Sequence, residues 1–289
     1  MDFQSTTTSL GSVSYRLLGE GQRKVLFFHG FPGSSAQVYL FTEAAKQLNL
    51  QVLCFDRPGY LQTSPTPDKH SLAATLQISR ELTEQLDWKK YEVATVSGGT
   101  PYGLSLAATE AHRITEVRVI CGLGYLRHPE VMRHFPKKSL LGLSVLPKIP
   151  GQLIKTVLMK SLQYEKSKAL GRRPPLLEFF LPISEADRAC LSDAKNMNVL
   201  NENMIEALRQ KARGPQLDAQ VYMSGWGRLL EEMKIPVCFW HGDEDTVIPY
   251  QVSEEMARLI PNASFKLMRK EGHYSLPILH TAQIMSEKI

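Results

Sequence analysis

With 289 residues, 43% of them apolar and 22% charged, the chain can bury a large core and fits one big domain or a domain carrying an insertion. Its formal charge of +5, with no interleaving of basic and aromatic residues, argues against a nucleic-acid partner. None of the four cysteines belongs to a CxxC pair, and Cys54, Cys121 and Cys238 lie in apolar runs that read as buried strands, so these three read as reduced core residues and no metal site is expected.

The opening "MDFQSTTTSLGS" has neither a basic region nor an apolar stretch, so it shows no signal peptide. No apolar run reaches the roughly 18 residues that cross a bilayer, and a cytoplasmic protein is expected. "SVSYRLLGEG" reads as an early strand closed by a glycine turn. "KVLFFHG" (Lys24 to Gly30) is a short continuous apolar run, the mark of a strand buried on both faces of a parallel sheet. The pattern returns in "QVLCFD" from Gln51, "EVATVS" from Glu92, "VRVICGLG" from Val117, "PVCFWHG" from Pro236 and "SFKLMRKEGH" from Ser264. Helix-like segments separate most of these: Ala36 to Leu48, Ser71 to Leu86, Leu104 to Ala111, Gln251 to Leu259 and Ser275 to Lys288. Alternation of this kind predicts an α/β fold with a doubly wound, mostly parallel sheet.

One gap breaks the rhythm. Between Tyr125 and Lys234 the chain is punctuated by prolines, helical in character, and without a convincing parallel strand. That is too long for a loop and predicts an inserted helical cap. The expected division is 1–126 and 217–289 for the core and 127–216 for the cap, with a helix returning to the sheet over Leu217 to Met233. From Arg127 to Arg173 eleven Lys or Arg face only Glu130 and Glu165. Leu153, Ile154, Val157 and Leu158 share one helical face there. The plain reading is a packed cap helix with a solvated basic side. The alternative is a basic, apolar surface that makes weak contact with anionic membrane or with an amphiphilic acyl substrate.

Chemistry gathers at the strand ends, where open α/β sheets place ligands. Ser97 closes one strand and Gly98, Gly99 and a helix follow, the layout of a nucleophile elbow. Thr95, however, stands where a G-x-S-x-G pattern would have its first glycine. "HGFPG" (His29 to Gly33) ends another strand and can direct the Phe31 N–H, together with that of Gly98, at a developing oxyanion. His29 itself reads as a structural residue that holds the loop. In "HGDEDTVIP", Asp243 and Glu244 come early and are expected to face water, whereas Asp245 can reach back toward a histidine. "EGHYSLP" places His273 directly after the last strand. The chain order Ser97, Asp245, His273 is that of an α/β-hydrolase triad.

The stretches "HGFPGS", "DRPGY", "SGGTPYG", "GDEDTVIP" and "EGHYSLP" resemble the capped esterase, epoxide hydrolase and haloperoxidase-like branch of the α/β-hydrolases. The resemblance covers nearly the whole chain and is weakest across the cap. It implies Ser97 as nucleophile, His273 as base, Asp245 as the acid orienting it, and backbone N–H groups of Phe31 and Gly98 as the oxyanion hole. No cofactor is implied, and the implied partner is a small-molecule acyl substrate. Leu61 follows "DRPGY" where relatives usually carry glycine. A serine nucleophile sets aside epoxide hydrolysis and dehalogenation, which use a carboxylate on this fold. Ester hydrolysis through an acyl-enzyme is the leading expectation. The same triad would also serve C–C bond or thioester hydrolysis or perhydrolysis, and a capped small-ligand receptor with little turnover is the alternative of a different class.

Overall fold

The computed structural model describes residues 2–68, 70–167 and 183–289. Eight strands form one sheet: β1 (Gln4–Thr8), β2 (Gly11–Leu18), β3 (Arg23–Phe28), β4 (Leu50–Phe55), β5 (Tyr91–Val96), β6 (Ile114–Ile120), β7 (Val237–Gly242) and β8 (Ala263–Met268). Their order is β1-β2-β4-β3-β5-β6-β7-β8. β1 and β2 run antiparallel at one edge, and β4 through β8 are joined in parallel. Every residue of β5 and of β7 is buried, which is why those stretches are apolar without alternation.

Two layers of helix cover the sheet. On one face pack α2 (Ser71–Gln85), α3 (Thr100–Thr109) and α10 (Tyr250–Leu259), through residues such as Ile78, Leu104 and Val252. On the other lie α1 (Thr42–Gln47) and α11 (Ser275–Ser286), which contribute Ala44, Leu276 and Ile284. This is the doubly wound architecture that the alternating pattern predicts. It carries one strand the apolar runs do not show. β1 is a threonine-rich, mostly exposed edge strand held by its hairpin to β2.

The predicted helix Ala36 to Leu48 is a 3₁₀ turn over Ser35–Phe41 followed by α1, with Ser34 Oγ accepting from the Ala36 N–H. Between β6 and β7 come α4 (Pro129–Met132), α5 (Lys137–Val145), α6 (Gly151–Ser167), α7 (Glu185–Leu191), α8 (Ala194–Ala207) and α9 (Arg213–Tyr222). α9 is the returning helix, but it starts before the predicted Leu217 and stops at Tyr222 rather than Met233. The reason is "SGWG": Gly225 and Gly227 break the helix, and Gly227 lies against the Tyr125 ring, where a Cβ would clash.

Val131 and Phe135 pack into the main core, whereas Ile154, Leu208 and Ala212 form a small cluster of their own. The expected single face of α6 is split. Ile154 is buried, while Leu153 and Val157 are exposed beside Lys160, because the pairs 153/157 and 154/158 sit about 100° apart on a helix and only one seats inward. Lys168, Arg172 and Arg173 of the basic stretch lie outside the described residues. Among the described residues no helix is long and apolar enough to cross a membrane.

Candidate active site

Ser97 follows the last residue of β5, and its backbone takes the left-handed conformation, φ +51°. A non-glycine residue held there costs on the order of 1–3 kcal/mol, so the surroundings must enforce the turn. They do so through the Ser97 carbonyl, which accepts from the Leu123 N–H (3.0 Å) and the Thr100 hydroxyl (2.8 Å). The glycines that follow are steric necessities. A Cβ at Gly98 would run into the Tyr222 hydroxyl and Phe31, and one at Gly99 into the Phe28 carbonyl.

The departure at Thr95 has a structural counterpart. Its γ-methyl fills the space that a Cβ on Gly103 would need, one turn into α3. The small residue required where strand and helix touch has moved from the strand to the helix. Gly103→Ala is therefore expected to destabilise by about 1–3 kcal/mol through overpacking, although alanine in a helix is otherwise favoured by about 1 kcal/mol. Adding Thr95→Ser, which deletes only the methyl, should recover most of the loss. Urea midpoints of the four proteins in the cycle check this, and simple additivity would contradict it.

His273 enters from the loop after β8. Its Nε2 lies 3.1 Å from Ser97 Oγ and its Nδ1 2.7 Å from Asp245 Oδ2. All three residues are buried. Asp245 Oδ1 accepts from the N–H groups of Val247 (2.9 Å) and Ile248 (2.8 Å), which fixes the carboxylate in its turn. Burial alone would raise its pKa. The charges and hydrogen bonds of His273 and His241 outweigh that and hold the carboxyl well below its ordinary range. An ionised, immobile Asp245 can keep the His273 proton on Nδ1 and leave Nε2 free to accept.

The neighbouring acids behave differently from one another. Glu244 is exposed. Asp243, which the sequence suggests is a solvated turn residue, is only partly exposed: it accepts from the Lys270 N–H (2.7 Å) and Arg269 (3.2 Å), bracing this turn against the one after β8.

Phe31 and Gly98 line the same cavity as Ser97 and His273, as an oxyanion hole requires. The loop bearing Phe31 is fixed from below. His29 is fully buried, with Nδ1 donating to the Gly30 carbonyl (2.9 Å) and Nε2 facing the Arg57 N–H (3.5 Å). Burial, reinforced by Arg57, pushes its pKa well down, so it stays neutral and structural. The Arg57 guanidinium donates to the carbonyls of His29 (2.6 Å) and Gly30 (3.1 Å) and pairs with Asp218 at 2.5 Å. Asp218 also accepts from the hydroxyls of Tyr60 (2.7 Å), Tyr102 (2.5 Å) and Tyr222 (3.1 Å). Leu61, in the glycine position of that loop, keeps the left-handed backbone with φ +42°.

Three groups escape a reading of the sequence. His241 donates toward Asp245 Oδ2 (2.9 Å) and the Ile248 carbonyl (2.8 Å), while its Nδ1 meets Ser253 Oγ at 2.7 Å. Its position four residues before Asp245 is the one available signal. Asp218 on α9 and Asp187 on α7 carry none, since both look like acids on solvated helix faces. Cys121, His241 and Asp245 bring ligand-type atoms within 4.8 Å of one another. Both His241 nitrogens and both Asp245 oxygens are already engaged in the hydrogen bonds above, so the group serves the carboxylate and offers no open donor set to a metal.

Above Ser97 opens a cavity of about 760 Å³. Phe135, Leu143, Leu146, Ile154 and Leu158 line it from the segment between β6 and β7, with Ile278 from α11. Among the described residues, the acidic and basic side chains other than histidine that line it are Lys195, Glu43 and Glu202.

A sheet of this order, a strained serine at the end of β5 and a histidine bridging it to an acid after β7 leave one fold to consider. The chain has the alpha/beta hydrolase fold. A family profile of that description matches residues 24–149. A bromoperoxidase from Bacillus anthracis superposes with a TM-score of 0.69 at 18% identity, covering 99% of this chain and 98% of that one. A thermophilic esterase from Thermogutta terrifontis gives 0.67 at 16% identity, with 99% and 96% covered. A meta-cleavage product hydrolase gives 0.68 at 18% identity, with 99% and 98% covered. Among curated proteins, none matches the sequence. At such identities the likeness is one of fold, and alpha/beta hydrolase chemistry is what the arrangement of Ser97, His273 and Asp245 can perform.

Proposed function

We propose that the protein is a serine hydrolase that cleaves uncharged carboxylic esters with an apolar acyl group through an acyl-enzyme. The observation that carries this is the Ser97–His273–Asp245 chain of hydrogen bonds at the floor of a largely aliphatic cavity. A serine hydroxyl becomes an effective nucleophile only as a base removes its proton, and His273 Nε2 faces Oγ for that purpose. Attack on the ester carbonyl places negative charge on its oxygen, which the Phe31 and Gly98 N–H groups stabilise. His273 then returns the proton to the departing alcohol. Water, activated by the same imidazole, releases the acid.

The lining argues for the substrate class. About 760 Å³ lies in the range that encloses a drug-sized molecule, far more than an acetyl group needs. Among the described residues, one lysine against two glutamates gives no net attraction for an anion, which supports a neutral ester over an anionic C–C cleavage substrate. Nitrophenyl esters of increasing chain length test this. kcat/KM is expected to rise at least tenfold from acetate to octanoate, since each buried methylene contributes about 0.8 kcal/mol. A profile that peaks at acetate would contradict the assignment of the cavity to the acyl group, and turnover too slow to measure on every ester would favour the receptor reading.

A further inference from the structure

The loop carrying His273 is not held by the sheet alone. Asp187, fully buried on α7, directs its carboxylate at that loop across 86 residues of sequence. Oδ2 accepts from the His273 N–H (3.0 Å), and Oδ1 accepts from those of Tyr274 (2.8 Å) and Ser275 (2.9 Å). These N–H groups precede and open α11, a helix whose N-cap residue, Tyr274, supplies no side-chain cap. The first N–H groups of a helix have no partner within it and carry partial positive charge. Asp187 is thus a cap borrowed from another element, and it satisfies three donors at once. The fit is tight: a Cβ on Gly272 would overlap both the Asp187 carboxylate and Ser184 Oγ. Ser184 in turn caps α7 by accepting from the Asp187 N–H (3.1 Å).

We infer that Asp187 is a positioning residue for His273, making the helical segment between β6 and β7 part of the catalytic apparatus as well as a wall of the cavity. What the carboxylate fixes is the backbone from which the imidazole hangs, and so the 3.1 Å separation from Ser97 Oγ. The same segment reaches the other side of the site. Asn203 Oδ1 accepts from the Ser34 N–H (2.8 Å), and Glu206 takes the Ser34 hydroxyl (2.7 Å) while pairing with Arg16 at 2.7 Å. Both the histidine loop and the loop beyond Phe31 therefore lean on side chains from this one stretch of chain.

The inference rests on the triad assigned to Ser97, and the experiment keeps the two apart. Asp187→Asn retains shape and one accepting oxygen; Asp187→Ala retains neither. With a medium-chain nitrophenyl ester, Asp187→Asn is expected to lower kcat about tenfold. Asp187→Ala should lower it about a hundredfold, the scale of loss for an ångström of misplacement. KM should stay within twofold for both, because Asp187 does not itself line the cavity. The rate at which a fluorophosphonate labels Ser97 should fall in the same order. kcat within twofold of wild type in folded Asp187→Ala would overturn the inference, as would parallel changes in kcat and KM. Failure of Asp187→Asn to fold would overturn it too, since it would make Asp187 a residue of stability alone. Ser97→Ala, measured alongside, separates the cases: retained turnover there would remove the triad reading itself.

Discussion

Ser97→Ala is expected to lower kcat by a factor on the order of 10⁶ while leaving the fold intact. The size follows from the way a nucleophile and its base act as one unit. Losing either costs about as much as losing both, and what remains comes from substrate binding and the oxyanion hole. Little structural penalty is expected. Ser97 Oγ has His273 as its partner, and alanine keeps the Cβ that already tolerates φ +51°. Circular dichroism and the urea midpoint should match those of the wild type. Turnover should be read with the ester that the chain-length series selects, so that a poor substrate does not mask the loss.

Asp218→Ala should produce the largest loss of stability, about 3–5 kcal/mol. Asp218 is the partner of an Arg57 guanidinium that is itself completely buried. Burial by itself would lower the Arg57 pKa. Asp218 and the surrounding tyrosines reverse that and raise it well above its ordinary value, so the charge persists at any working pH. Deleting the carboxylate leaves a buried cation without a counter-charge, which is far costlier than never having had the pair. It also strips the hydroxyls of Tyr60 and Tyr102 of their acceptor. The double substitution Arg57→Met with Asp218→Leu should therefore be milder than Asp218→Ala alone. It should still lower activity, because the carbonyls of His29 and Gly30 lose the guanidinium that holds the loop before Phe31. Equal destabilisation by the single and double changes would argue that packing, not charge, dominates at this site.

What the sequence discloses and what it hides follow one physical division. Strands largely buried on both faces are mostly apolar, so β3 to β7 are visible as runs. Half-buried β8 at the sheet edge shows only Phe265, Leu267 and Met268 among polar residues. The groups at the C-terminal ends of these strands are visible with them. Ser97, Asp245 and His273 could be placed for that reason. Edge strand β1 is held by hairpin pairing and needs no apolar run, so its threonines gave no sign. Helix ends are set by local residues, and the return of α9 stops where Gly225 and Gly227 intervene. Long-range polar contacts leave least trace. Asp187, Asp218 and Glu206 each sit in helices where no local pattern marks the acid as buried, and only folding brings them to the His273 loop, to Arg57 and to Arg16. Thr95 shows the converse: it looks like a defect in the elbow until Gly103 is seen opposite its methyl.

The central claim is that Ser97 becomes covalently acylated during turnover, and mass spectrometry of the intact protein with a fluorophosphonate, followed by peptide mapping, tests it most directly. The expected result is a single adduct on the peptide that contains Ser97, complete within minutes, absent from Ser97→Ala, and blocked by prior incubation with a medium-chain ester analogue. An unmodified wild-type protein that nonetheless hydrolyses esters, or an adduct on any other residue, would contradict it.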